Sequence, residues 1–106
     1  MNRGDVYWAN LPPPFGRRPV VLLTRDAAIP VLSSILAAPV TATIREIDSE
    51  VALGPDEGLP QECVASCDNL VTIPKSDLDV EPVGSLRPPD LMELDRALRY
   101  ALEIRF

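Results

Sequence analysis

The hydrophobic pattern of this chain, short apolar runs that alternate or run unbroken between Pro/Gly turns, predicts β-strands over most of its length. In Asp5-Val6-Tyr7-Trp8-Ala9, Val6 and Trp8 share one face and Tyr7 and Ala9 the other. The run Val20-Val21-Leu22-Leu23-Thr24 has no polar break and reads as a strand buried on both faces. Residues 34–40 form a third strand, with Pro39 marking an edge or bulge. Residues 49–53 and 62–68 make a fourth and fifth, the latter delivering Asp68 at its end, and residues 80–86 add a short last one. Residues 25–30 and the acidic Gly54–Gly58 read as turns, and residues 73–78 as a tight turn or 3₁₀ piece. Only the last segment switches to helical period. Pro88-Pro89-Asp90 opens it, and Leu91, Leu94, Leu98, Ala101 and Leu102 fall on one face. Asp90 and Glu93 suit its positive end, Arg99 and Arg105 its negative end. Short strands, Pro/Gly turns and one closing helix predict a mainly β protein with a C-terminal α-helix, a strongly bent sheet or small barrel rather than a parallel α/β fold.

Composition narrows the chemistry more than the fold. The chain has 106 residues, enough for one domain with one core, and 46% hydrophobic with 25% charged residues is ordinary for a globular protein. No apolar run approaches the roughly 20 residues of a membrane span, and the first residues lack an apolar signal core, so a cytoplasmic location is expected. Cys63 and Cys67 fall on one strand face at a spacing that is neither C-x-x-C nor a zinc pattern, and are expected to be buried thiols. There is no histidine, which removes the commonest general base and zinc ligand and every Ser-His or Cys-His arrangement. Chemistry must run on arginine, carboxylate and hydroxyl groups. The net charge of −6 is uneven: residues 1–45 hold five arginines against two aspartates (+3), the remainder five bases against fourteen acids (−9). A basic working face on an acidic body is compatible with a polyanionic substrate.

Four places carry candidate chemistry. Gly16-Arg17-Arg18-Pro19 is a basic loop tip feeding the apolar run; proline biases Arg18 to extended backbone at the rim of a rigid strand, where a cation serves anion binding or is simply solvated. The loop Leu11–Gly16 reads as stiff and polyproline-like, presenting Phe15 either to stack on a base or to cover its own core. Thr41 and Thr43 put hydroxyls on one side of a strand exit, followed by Arg45; ordinary strand packing explains the threonines equally. Asp68 is a carboxylate at a strand end, either a base or a turn cap.

In order along the chain, Gly4-Asp5-Val6-Tyr7-Trp8, Gly16-Arg17-Arg18-Pro19-Val20-Val21-Leu22, Ala38-Pro39-Val40-Thr41 and Cys67-Asp68-Asn69-Leu70-Val71-Thr72-Ile73-Pro74-Lys75, with Leu94-Asp95-Arg96-Ala97-Leu98 in the helix, resemble the MazF/PemK toxins of toxin-antitoxin modules. The resemblance implies an SH3-like small barrel (the MazF/CcdB-like toxin fold). It also implies a homodimer with no metal or other cofactor, and an mRNA interferase that cuts single-stranded RNA at short motifs. A cognate MazE-like antitoxin would neutralise it. Arg18 and Thr41 match the catalytic pair of the MazF branch, and Asp68 the catalytic aspartate of the PemK branch. Phe15, Arg17, Thr43 and Arg45 are the expected RNA contacts. Where the PemK branch has an arginine two residues before its aspartate, this chain has Ser66; the loop histidine has no counterpart, and Val71 replaces a usual arginine. The resemblance thus implies the Arg18/Thr41 chemistry.

Metal-free RNA cleavage can use the 2′-hydroxyl as nucleophile, with donors on the crowded anionic phosphate. Arg18 offers paired donors and Thr41 a hydroxyl, whereas arginine is a poor literal base. An acidic antitoxin tail would take the same Arg17/Arg18/Arg45 face. Two other readings stay open: a CcdB-like non-enzymatic gyrase poison, and an inactive paralogue that keeps only antitoxin binding.

Overall fold

The computed structural model describes residues 1–105. Seven strands form one antiparallel sheet: β1 (Asp5–Asn10), β2 (Arg17–Leu22), β3 (Ser34–Thr41), β4 (Glu50–Leu53), β5 (Cys63–Ser66), β6 (Val71–Pro74) and β7 (Gly84–Ser85), followed by helix α1 (Pro88–Leu102). Their order is β4-β5-β3-β2-β1-β7, with β6 also paired to β3. The sheet wraps into a half-barrel because β3 changes partner along its length. Residues Ser34 to Ala37 pair with β6, whereas Val40 and Thr41 pair with β5.

Pro39 sits at that exchange. It is neither at a sheet edge nor in a bulge: it lies opposite Val20 in the middle of the sheet, and neither the β6 ladder nor the β5 ladder includes it. A residue without an N–H is tolerated there because the ladder is already interrupted. The exchange also ends β3 at Thr41, at the rim.

The central strands are buried on both faces, as the unbroken apolar run predicts. Val6, Val21 and Ala38 belong to one core with Leu94 and Ala97 of α1, while Tyr7, Val20 and Ala37 belong to a second with Ile35 and Ile73. Period-two alternation sends neighbouring residues of one strand into different cores. The helix packs mainly on β4 and presents Leu94 and Ala97, both fully buried, rather than the whole expected stripe; Leu102 is 52% exposed. Leu91, Leu98 and Ala101 flank the contact. Asp90 accepts the Arg87 N–H at 3.0 Å, closing the first turn. Gly4 has φ +92°, and a Cβ there would stand 2.7 Å from Leu91 Cδ2, so glycine lets the helix lie against the start of β1.

Two local expectations change. Strand β6 takes in Ile73 and Pro74, the first residues of the expected 73–78 turn, and only Lys75–Asp77 is the 3₁₀ piece. The Leu11–Gly16 loop is a closed turn rather than an extended polyproline segment. The Phe15 N–H returns to Pro12 O at 3.1 Å and the Leu11 N–H to Gly16 O at 3.1 Å. Gly16, at φ +66°, turns the chain into β2.

Cys63 and Cys67 are free and buried. Burial, with Asp68 adding to it and Arg96 opposing, pushes the Cys67 thiol up to about 11. Because the folded value lies above the ordinary thiol value, its contribution to stability is complete below about pH 8.5 and is lost as pH rises towards 11. The urea midpoint is therefore expected to fall more steeply between pH 9 and 11 in the wild type than in Cys67→Ala; parallel profiles would contradict this burial. Leu94→Ala should cost about 2–5 kcal/mol by urea denaturation, and Leu102→Ala less than about 0.5 kcal/mol.

Candidate active site

Strand parity separates the two adjacent arginines of β2. Arg17 lies opposite Asn10 and Arg18 opposite Ala9, so their side chains leave opposite faces of the β1–β2 ribbon. Arg17 is committed to a structural role. Its Nη2 meets Asp79 Oδ2 at 2.7 Å, its Nη1 donates to Asp79 Oδ1 and to Asn10 Oδ1, both at 3.1 Å, and its guanidinium carbon lies 5.4 Å from the centre of the Trp8 ring. The expected basic face of Arg17, Arg18 and Arg45 therefore reduces to Arg18 and Arg45.

Arg18 faces a hollow of about 170 Å³ lined by Phe15, Pro39, Thr41, Arg45, Ser66 and Asn69. Its Nε donates to Phe15 O at 2.9 Å and its guanidinium carbon stands 5.7 Å from the Phe15 ring centre. That bond fixes the plane of the fork and leaves both Nη groups for a ligand. Phe15 does both things expected of it as alternatives: it packs against the second core and lines the hollow. Among the described residues, neither Arg18 nor Arg45 is ion-paired to a carboxylate, and no carboxylate lines the hollow.

The hydroxyls keep donor capacity too. Thr41 Oγ1 accepts the Thr43 N–H at 3.2 Å and Ser66 Oγ accepts Asn69 Nδ2–H at 2.9 Å. Each hydroxyl proton is then free for something in the hollow. Two guanidiniums and two hydroxyl donors around a carboxylate-free hollow are suited to one anionic group with several oxygens. Thr43 contributes through its backbone, since its side chain does not line the hollow.

Asp68 is elsewhere. Its Oδ2 accepts Ser49 Oγ–H at 2.5 Å, and it lines a larger hollow of about 540 Å³ at the end of α1, where Asp68 and Glu103 face Arg99 and Arg105. Two acids and two bases cancel there, so size is a poorer guide than charge. Ser66 and Asn69, by contrast, went unassigned in the sequence. The Ser-x-x-Asn spacing at a strand end running into a turn was the available signal. Among the described residues no cluster of three or more His, Cys, Asp or Glu is placed to hold a metal ion, and no helix is long and apolar enough to cross a membrane.

A half-barrel with one C-terminal helix and a donor-lined hollow at the rim defines a small β-protein equipped to grip an anion. The chain belongs to the family described as PemK-like, MazF-like toxin of type II toxin-antitoxin system, which matches residues 2–102. It is 38% identical over 102 residues to the probable endoribonuclease MazF5 of Mycobacterium tuberculosis, covering 95% of this chain and 92% of that protein. Against endoribonuclease MazF3 of the same organism it is 46% identical over 87 residues, 82% and 84% of the two chains. Among solved structures, the Mycobacterium tuberculosis toxin MazF-mt6 superposes with a TM-score of 0.89 at 34% identity over 96% of this chain and 99% of that one. An endoribonuclease in complex with its cognate antitoxin, from a mycobacterial species, gives 0.87 at 28% identity over 100% and 98%.

The Arg17 bond and charge hold the Asp79 carboxyl below its ordinary value. A lowered folded value means that this pair's contribution is present above the unfolded value and is lost as pH falls through the folded one. Side-chain carboxyl NMR should find Asp79 titrating at lower pH in the wild type than in Arg17→Gln. An unchanged midpoint would contradict the clamp.

Proposed function

We propose that this chain is the toxin of a type II toxin-antitoxin pair, an endoribonuclease that cuts single-stranded RNA in the Arg18 hollow by attack of the substrate's own 2′-hydroxyl. The observation that carries the proposal is the donor set: two guanidiniums without a carboxylate partner and two hydroxyls around a hollow that no carboxylate lines. A transesterifying phosphate gains negative charge on its oxygens in the transition state, so donors fixed beforehand stabilise it more than they stabilise the ground state. Arg18 Nη groups grip the non-bridging oxygens, with Thr41 and Ser66 hydroxyls on the same group. Arg45, on an exposed segment, holds the neighbouring strand. The family match favours this reading over a CcdB-like gyrase poison or an inactive paralogue.

The bond formed is 2′-oxygen to phosphorus and the bond broken is phosphorus to 5′-oxygen, leaving a 2′,3′-cyclic phosphate and a 5′-hydroxyl. Arg18 acts as an electrostatic stabiliser. None of the side-chain types in the hollow changes charge between pH 5 and 9, so the 2′-hydroxyl proton passes to water or hydroxide, the leaving 5′-oxygen takes a proton from water, and the rate rises with pH without a bell. Asp68, outside the hollow, does not act as the base. The partner is a cognate antitoxin whose acidic segment covers Arg18 and Arg45, and the working form is a cytoplasmic homodimer, as the family resemblance implies.

The test is a defined single-stranded RNA incubated with purified protein. Cleavage should leave 2′,3′-cyclic ends, stop when the scissile sugar is 2′-deoxy, and fall about 10²–10³-fold in Thr41→Ala if its hydroxyl meets the transition state. Equal cutting of 2′-deoxy substrate would overturn the mechanism. A bell-shaped pH profile whose acid limb vanishes in Asp68→Asn would assign the base to Asp68 instead.

A further inference from the structure

Thr41 lines a second hollow, which the cleavage chemistry leaves unused. It is a slot of about 120 Å³ whose walls include Trp8, Pro19, Leu59, Gln61 and Cys63. Trp8 and Pro19 are cross-strand partners and stand side by side on the face of the ribbon opposite to Arg18. Thr41, the last residue of β3, is the wall common to the slot and the Arg18 hollow. A strand gripped at Arg18 therefore meets the slot across a single side chain, Thr41.

The slot differs chemically from the hollow. It contains no charged side chain, and its polar contribution beside Thr41 is the exposed amide of Gln61. Trp8 is the only tryptophan of the chain and stays half-buried, braced by the Arg17 guanidinium that Asp79 itself clamps. A braced, partly open indole is a stacking platform whose ordering cost is met before binding. Gln61 carries both a donor and acceptor, the pairing that reads a base edge. The slot is too small for drug-sized ligands, whose pockets run to about 300–1,000 Å³. Uncharged walls exclude a phosphate.

We infer that this slot takes one base of the RNA, adjacent to the scissile phosphate, stacked against Trp8 and selected by the Gln61 amide. The inference rests on the ribonuclease reading and adds a specificity subsite to it. Sequence preference at that position is then set by residues on the far side of Thr41 from the reacting phosphate.

The test is a randomised single-stranded RNA pool cut in excess chelator by wild type, Gln61→Ala, Trp8→Leu and Trp8→Phe, with the ends sequenced. Gln61→Ala should relax the preference at one position beside the cut by about tenfold and leave the other positions alone. Trp8→Leu should slow cutting of the preferred motif by about tenfold and Trp8→Phe should restore it. In the wild type, emission from the single tryptophan should be quenched when the preferred motif binds with a 2′-deoxy scissile sugar. If the wild type cuts a defined motif while every variant keeps the same base preferences, the slot assignment is wrong and the nuclease reading survives. Emission that responds to an antitoxin peptide but not to bound RNA would likewise overturn the base assignment. A wild type that cuts no RNA would remove both.

Discussion

Everything at the rim of this sheet depends on the parity of β2. Two consecutive residues of a strand cannot point the same way, so a pair of arginines written side by side is divided by the backbone between two surfaces. Arg17 goes to the face where Asp79 and Trp8 meet it, and Arg18 to the face where Phe15 and Thr41 do. A one-residue slip of the β1–β2 register would exchange the two and move each apolar neighbour to the wrong core. The division is held by the ladder from Val6↔Val21 to Asn10↔Arg17 and by the turn that Gly16 closes. The same packing that stabilises the fold thus decides which cation is neutralised and which is kept available.

The second constraint is the partner exchange of β3. Bending the sheet at Ala38 and Pro39 brings the β5 end, with Ser66, up to Thr41, and the turn after β5 adds Asn69. Donors from three separate stretches of the chain then converge with no carboxylate among the lining residues, while buried Glu50, opposite Ser66, accepts the Arg45 N–H behind them. In an acidic protein of net charge −6, a hollow free of carboxylates is the informative feature. The acids of the C-terminal part are spent elsewhere: Asp95 on Arg3, Asp79 on Arg17, Glu57 on Arg87.

Much of this was legible in the sequence. Short apolar runs between Pro/Gly turns placed β1 to β5 within a few residues, the Pro-Pro-Asp start placed α1, and the unbroken Val20–Leu23 run foretold burial on both faces. What escaped was set by partners remote in the chain. Strand β6 is four residues long, ends in proline and exists because Ser34–Ala37 of β3 offers it a ladder. Leu102 has the helical spacing of a core residue but is exposed, while Ala101 beside it packs on the core. Arg17 reads as the equal of Arg18 until Asp79, 62 positions on, claims it. Ser66 and Asn69 are unremarkable turn-forming residues until the bend in β3 carries them to the hollow. Arg18 and Thr41 are named by the family resemblance, because their local sequence fits a solvated arginine and a packed strand threonine equally well.

The central claim is that Arg18 carries the phosphate and Arg17 carries the framework. The most direct measurement compares wild type, Arg17→Ala and Arg18→Ala on one long RNA in excess chelator, with cut sites mapped by primer extension and folding checked by circular dichroism. The account predicts discrete cuts by the wild type, cutting within about tenfold of it by Arg17→Ala, and a loss of about 10²-fold or more in folded Arg18→Ala. Retained cutting by Arg18→Ala, or abolition by Arg17→Ala in a folded protein, would contradict it.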